Sequence, residues 1–276
     1  MDDIAHRTMI DGSSDDAVTG SIFAPRPQGP ASRVAQRFHG PVRAWAASTF
    51  LGWVVMASVL IGFGLLLVTE LLPEGVGAWD RSVSDWFVGQ RTASLDSATA
   101  FGSMLGSTFV VIGIALVVGI ALAIGRHWLA IGFLAAGLLI EVGSFLAATV
   151  AVSRPRPSVP QLDVAPPTSS FPSGHTAAAL VLYASIAIIV WTLTDSRVLR
   201  AFFWTLAVLV PIFVGLSRLY RGMHHATDIL GSIALALGSL SCAIVITRIT
   251  AAASHSRSTR AETSHAPSVV NPGVSV

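Results

Sequence analysis

The sequence predicts an all-α, polytopic membrane protein: six transmembrane helices in one bundle, with an interfacial helix between the first two spans. Three observations carry this. Only 12% of the 276 residues are charged, against about 25% in soluble domains. Hydrophobic residues make up 53% of the chain. They gather into six apolar runs of the length needed to cross a hydrocarbon core of ~30 Å, separated by short polar segments.

The elements follow in order. Residues 1–44 are rich in Asp, Ser, Pro, Gly and Arg without apolar periodicity, which predicts a disordered tail. No cleavable signal is read there, because the first apolar run begins only after Arg33, Arg37 and Arg43. Residues 45–68 give the first span, 24 residues without a charge, with Trp45 and Trp53 at headgroup positions. Residues 70–100 are more polar, and Val76, Trp79, Val83, Trp86 and Phe87 recur at helical spacing. That pattern fits a helix lying in the interface, or one capping the bundle. The second span is 101–124 and the third 128–152, separated by Arg126 and His127.

Glu141 falls near the middle of the third span. An acid at that depth is either functional or a buried, protonated and hydrogen-bonded glutamate. A Pro/Ser-rich loop over 153–171 carries Arg154, Arg156 and Asp163. The remaining spans are 175–194, 201–216 with Pro211 expected to kink it, and 226–249. Residues 251–276 read as a second disordered tail. The spans form one domain over 45–250, without internal repeats. Cys242 is the single cysteine, so no internal disulfide exists.

All 17 basic residues are arginine and the net charge is +2, too small to argue for a nucleic-acid partner. With six spans both termini share a side. Placing them in the cytoplasm puts eleven arginines inside and six outside, the arrangement the positive-inside rule favours. The third span then ends, the fourth begins, the fifth ends and the sixth begins on the outer face. Arg154 and Arg156, Ser173 to His175, and Arg218 to Asp228 converge there.

The polar stretch 217–228, SRLYRGMHHATD, interrupts the apolar pattern. His224 and Asp228 are four apart, so on a helix they share a face, and a carboxylate holding an imidazole orients a base or nucleophile. Arg218 is placed as a fixed cation for a phosphate. The plainer alternative is an interhelical loop whose arginines snorkel to headgroups. Pro172-Ser173-Gly174-His175 opens the fourth span. There Ser173 is expected to cap the helix, and Gly174 leaves its first N–H groups open to an anion. Phosphate is the ligand that uses all of these groups together.

These motifs resemble the type 2 phosphatidic acid phosphatases, integral-membrane lipid phosphatases related in core fold to vanadium haloperoxidases. The family carries a Lys followed after six residues by Arg-Pro, then Pro-Ser-Gly-His, then Ser-Arg, five residues, His, three residues and Asp. The second motif is complete at Pro172 to His175, and the third at Ser217, Arg218, His224 and Asp228. The first is present as Arg156-Pro157, but its Lys position falls on Thr149. The resemblance covers about residues 45–250.

It implies that His224 attacks phosphorus to form a phosphohistidine, Asp228 orients and charges it, and His175 protonates the leaving oxygen. Arg156, Ser173, Gly174 and Arg218 would hold the phosphoryl oxygens. Beyond the resemblance, Arg154 or Arg221 is expected as an auxiliary cation in place of the missing Lys. The set requires no metal or cofactor. His225 points off the proposed face and reads as structural. The expected substrate is a lipid phosphate monoester or diphosphate drawn from the bilayer, phosphatidic acid-like or polyprenyl. A lipid phosphotransferase and a non-catalytic lipid-phosphate binder are the alternative readings.

Overall fold

The computed structural model describes residues 22–26 and 28–265. Nine α-helices follow one another there, and no strand occurs among the described residues: α1 (Pro30–Ala35), α2 (Pro41–Leu66), α3 (Gly77–Gly89), α4 (Ala93–Leu105), α5 (Thr108–Ile124), α6 (Trp128–Ala151), α7 (Gly174–Leu193), α8 (Arg197–Tyr220) and α9 (Ala226–His265). Five helical stretches are long and apolar enough to cross a membrane, and the bent pair α4–α5 brings the number to six. This is a multi-pass membrane helix bundle.

The bundle is built around α6, α7 and α9, with α2 against α6 and α9, and α8 against α7 and α4. Phe133 and Ile140 of α6, Val181 and Leu182 of α7, and Ala243 of α9 are fully buried in the main core. Trp45 ties α2 to α6 by donating its indole N–H to the Gly132 carbonyl at 2.9 Å. A second core closes around Phe171, which packs with Leu60, Leu67, Val152 and Leu235. A Cβ on Gly231 of α9 would stand only 2.4 Å from that ring, so glycine there lets the loop before α7 seat on α9.

Three expectations are corrected. The second span is not one rod: its helix breaks between Leu105 and Thr108 and bends by 47°. The break lets Gly106 approach the start of α7, where an added Cβ would lie 2.6 Å from the His175 carbonyl oxygen. The first span runs on through a π-helical stretch, Leu67–Val76, that loses helical geometry at Glu74 and Gly75 (φ +109°) beside Pro73. The third difference concerns the tails expected over 1–44 and 251–276. Within the described residues, α1 is helical and packs Ala35 against Ile249, Ala252 and Ala253 of α9, while the Phe23 ring packs tilted against Phe133, centroids 5.0 Å apart. Small apolar residues at both ends give these segments a surface to bury, which composition alone hides. Residues 1–21, 27 and 266–276 lie outside the described residues. Pro211 lies inside α8, which runs on through it.

Helix α3, expected to lie in the interface or cap the bundle, packs on α8 and α9. Trp79 and Trp86 face outward, while Asp80 and Ser84 are buried.

Candidate active site

The 152–173 loop, the start of α7, the end of α8 and the start of α9 meet at one end of the bundle. They enclose the polar end of a cavity of about 920 Å³, where Arg156, Asp163, Gly174, His175, Arg218 and His224 all line the wall. The cavity then runs between α5 and α6 over apolar residues including Leu116, Leu134 and Leu138.

His224 is placed by backbone. Gly222 adopts φ +70° and turns the chain after α8, so His224 precedes α9 instead of lying on it. The expected shared helix face with Asp228 is therefore corrected. The His224 Nδ1 is 2.8 Å from the Ser170 carbonyl oxygen and 3.6 Å from Asp228 Oδ2. Both neighbours are acceptors, so Nδ1 carries the proton and the lone pair is left on Nε2. The Ser170 carbonyl is itself held in place. Its N–H donates to the Arg154 carbonyl at 2.9 Å and its hydroxyl to the Pro155 carbonyl at 3.0 Å. Burial lowers the His224 imidazole from its ordinary value, and the Asp228 carboxylate opposes this only in part.

Behind His224 lies a buried ionic network. Arg154 pairs with Asp228 Oδ1 through one guanidinium nitrogen and with Asp80 Oδ2 through another. The first of these nitrogens also donates to Thr227 Oγ1 at 2.7 Å. Asp80 accepts from the Thr227 N–H at 3.1 Å and from its hydroxyl at 2.6 Å, while Asp228 Oδ2 accepts from the His225 N–H at 2.8 Å. Asp80, Arg154, Thr227 and Asp228 are all buried.

The cavity-facing arginines are held differently. Arg156 donates to the Met223 carbonyl at 2.8 Å, and Arg218 donates to Ser103 Oγ at 2.6 Å and Asp163 Oδ2 at 2.9 Å. Each keeps a buried Nε–H without a partner among the described residues. Arg221 grips Asp163 through two nitrogens, at 2.9 and 2.6 Å. Burial works against the Asp163 charge, yet Arg221 and Arg218 together hold its carboxyl below the usual range.

The predicted residues thus separate into two groups. His175, Arg156, Arg218, Gly174 and His224 share the cavity, with Asp228 directly behind. Arg154 and Arg221, expected as auxiliary cations, do not line the cavity: the first pairs with Asp80 and Asp228 and the second with Asp163. Ser173 does not cap α7 through its side chain: Oγ is buried and pairs with Thr176 Oγ1 at 3.0 Å. Its carbonyl accepts from Ser232 Oγ at 2.8 Å, fastening α7 to α9. Thr149 donates to the Leu146 carbonyl at 2.9 Å and supplies no charge. His225 sits outside the cavity, its Nε2 3.3 Å from the Pro155 carbonyl. Sequence reasoning missed Asp80, Ser103 and Ser170.

The fold and the polar cavity at its end define the class, a helical membrane bundle with cationic and histidine groups gathered at one mouth. Residues 128–250 match the PAP2 superfamily. The chain is similar to phosphatidylglycerophosphatase B of Bacillus subtilis (strain 168), with 38% identity over 69 residues, 25% of this chain and 34% of that protein. The match therefore spans about a third of that relative's length. Among solved structures, the first transmembrane PAP2 type phosphatidylglycerolphosphate phosphatase from Bacillus subtilis has the same fold. It gives a TM-score of 0.54 at 24% identity, over 75% of this chain and 94% of that one. Aquifex aeolicus LpxE gives a TM-score of 0.46 at 22% identity, over 60% and 92% of the two chains.

Proposed function

We propose that this protein is an integral-membrane lipid phosphatase that hydrolyses a phosphate monoester or diphosphate through a phosphohistidine on His224. The observation that carries the reading is the environment of that ring. Its Nδ1 proton is claimed by the Ser170 carbonyl and faced by Asp228, and the ring lines the cavity beside Arg156 and Arg218.

The geometry supports the following chemistry. Nε2 donates its lone pair to phosphorus, and the P–O bond to the lipid breaks. His175 gives the leaving oxygen its proton. Arg156 and Arg218 offset the charge on the phosphoryl oxygens, which is where phosphoryl transfer needs help most. Asp228 balances the cationic phosphohistidine. Water, deprotonated by His175, then attacks phosphorus, releasing inorganic phosphate and returning His224. The two Bacillus subtilis proteins named above are described as phosphatases of a phosphatidylglycerol phosphate, which supports a lipid substrate here. The polar mouth above an apolar cavity supports it too, because a tail stays out of water while its phosphate reacts.

The orientation we propose places both termini in the cytoplasm and the site at the extracytoplasmic face, on the arginine distribution and the packing of α1 against α9. The domain runs over 45–250, with α1 and the end of α9 as flanking helices.

Purified protein in detergent is expected to release inorganic phosphate from short-chain phosphatidic acid or a polyprenyl diphosphate with EDTA present. Right-side-out membrane vesicles should act on an impermeant short-chain substrate added outside. Inverted vesicles should need permeabilisation first. Release that stops on chelation would remove the histidine mechanism, and activity confined to inverted vesicles would reverse the orientation.

The pH dependence has a definite sign. The reactive form of His224 is neutral, and burial keeps it neutral to lower pH than a free imidazole. In kcat/KM, which reports the free enzyme, the acid limb attributable to His224 should therefore fall below pH ~6.5. A midpoint clearly above that value, read with a substrate whose phosphate is already dianionic, contradicts the assignment.

A further inference from the structure

Glu141 takes no part in the mechanism above. It lies within the third span, is 3% exposed and lines the cavity. No described residue hydrogen-bonds or ion-pairs with its carboxyl, so the hydrogen-bonded glutamate expected in the bundle is not what the fold supplies. A buried carboxyl left without a partner is costly, more so if charged, and this one has no basic neighbour to keep it charged. It therefore presents an O–H donor to the cavity.

Its depth is set by the packing of α6 on α7. A Cβ on Gly174 would stand 2.9 Å from the Phe145 ring, so Phe145 is level with the α7 N-terminus. A Cβ on Gly137 would stand 3.3 Å from Val181, so the two helices run antiparallel. Glu141 is one turn below Phe145, roughly 6 Å deeper at 1.5 Å per residue. Ala178, one turn into α7, lines the cavity with it. A lipid whose phosphate lies against Arg156, Arg218 and His224 passes its next atoms by this carboxyl. In a diacylglycerol phosphate the two acyl-linked oxygens stand four and five bonds from phosphorus, roughly 6–8 Å of bonded path at about 1.5 Å per bond. A polyprenyl chain has only carbon and hydrogen there.

We infer that Glu141 is a specificity-determining residue, donating a hydrogen bond to an ester or hydroxyl oxygen on the glycerol backbone of a glycerolipid phosphate. This rests on the cavity being the lipid-phosphate site proposed above. It names the substrate class as glycerolipid, over polyprenyl, phosphates.

The test compares dioctanoyl phosphatidic acid with an alkyl monophosphate of similar length, which lacks backbone oxygens. Full-length wild type, Glu141→Leu and Glu141→Gln are assayed for kcat/KM and, by competitive displacement of labelled phosphatidic acid, for affinity. Wild type should prefer phosphatidic acid. Glu141→Leu should lose about tenfold on it, the worth of one hydrogen bond, and act undiminished on the alkyl phosphate, which also certifies its fold. Glu141→Gln keeps an N–H donor and should retain most of the preference. Equal losses on both substrates, no loss on either, or an indifferent wild type overturns the inference. A wild type that hydrolyses neither lipid but binds them with the Glu141-dependent preference ends the phosphatase reading and leaves this one standing. Hydrolysis of both lipids without Glu141 dependence does the reverse.

Discussion

His224→Ala should abolish phosphate release, by roughly 10⁴-fold or more, as loss of an attacking group does in other hydrolases. The structure separates this from a folding defect. The ring borders the cavity and bonds one backbone carbonyl, that of Ser170. Removing it frees an acceptor beside solvent-accessible space and leaves the Asp80–Arg154–Asp228 network intact. The variant should therefore fold, bind lipid phosphate through Arg156 and Arg218, and fail at the first chemical step. Single turnover of a ³²P-labelled substrate, quenched in alkali, should label wild type and leave His224→Ala unlabelled. Labelling of the variant would move the nucleophile elsewhere.

Arg154→Met should give the largest loss of stability. Arg154 stands between two buried carboxylates, Asp80 and Asp228, and satisfies both. Without it they are left buried without their cation, and breaking a buried pair in this way costs about 3–5 kcal/mol. Thermal unfolding in detergent should show a marked fall in Tm together with loss of turnover. Asp80→Asn should be milder, because Arg154 keeps Asp228. The double variant Asp80→Asn, Arg154→Met should recover part of the stability by removing one of the two stranded charges. A phosphate-binding Arg154 behaves differently: its replacement raises KM and leaves Tm where it was. The two roles are thus told apart by one melting curve.

Much of the site was legible because its side chains announce their chemistry. Arg156, Gly174, His175, Arg218 and His224 stand out in apolar surroundings, and the span count alone brings them to one mouth. What escaped was local geometry and distant pairing. The four-residue spacing of His224 and Asp228 reads as one helix face until Gly222, at φ +70°, ends the helix and delays the next to Ala226. That glycine was the available signal. Ser170 acts through a carbonyl, which every residue has, so no side-chain pattern marks it. Asp80 sits in a stretch whose tryptophans dominate the periodicity, and its partner Thr227 lies 147 residues downstream. Gly106 and Ser107 marked the break in the second span, but an apolar run around them reads as continuous. Arg154 looked like a second cation for the ligand because nothing nearby in sequence reveals the acids it neutralises.

The separation of Asp80 from its partners also sets an order of assembly. Asp80 leaves the ribosome 74 residues before Arg154 and 147 before Thr227. Until α9 is made, Asp80 has Arg154 for a partner and α8 as a neighbour but lacks Thr227. The network behind His224 thus closes only once the start of α9, with Thr227 and Asp228, has docked.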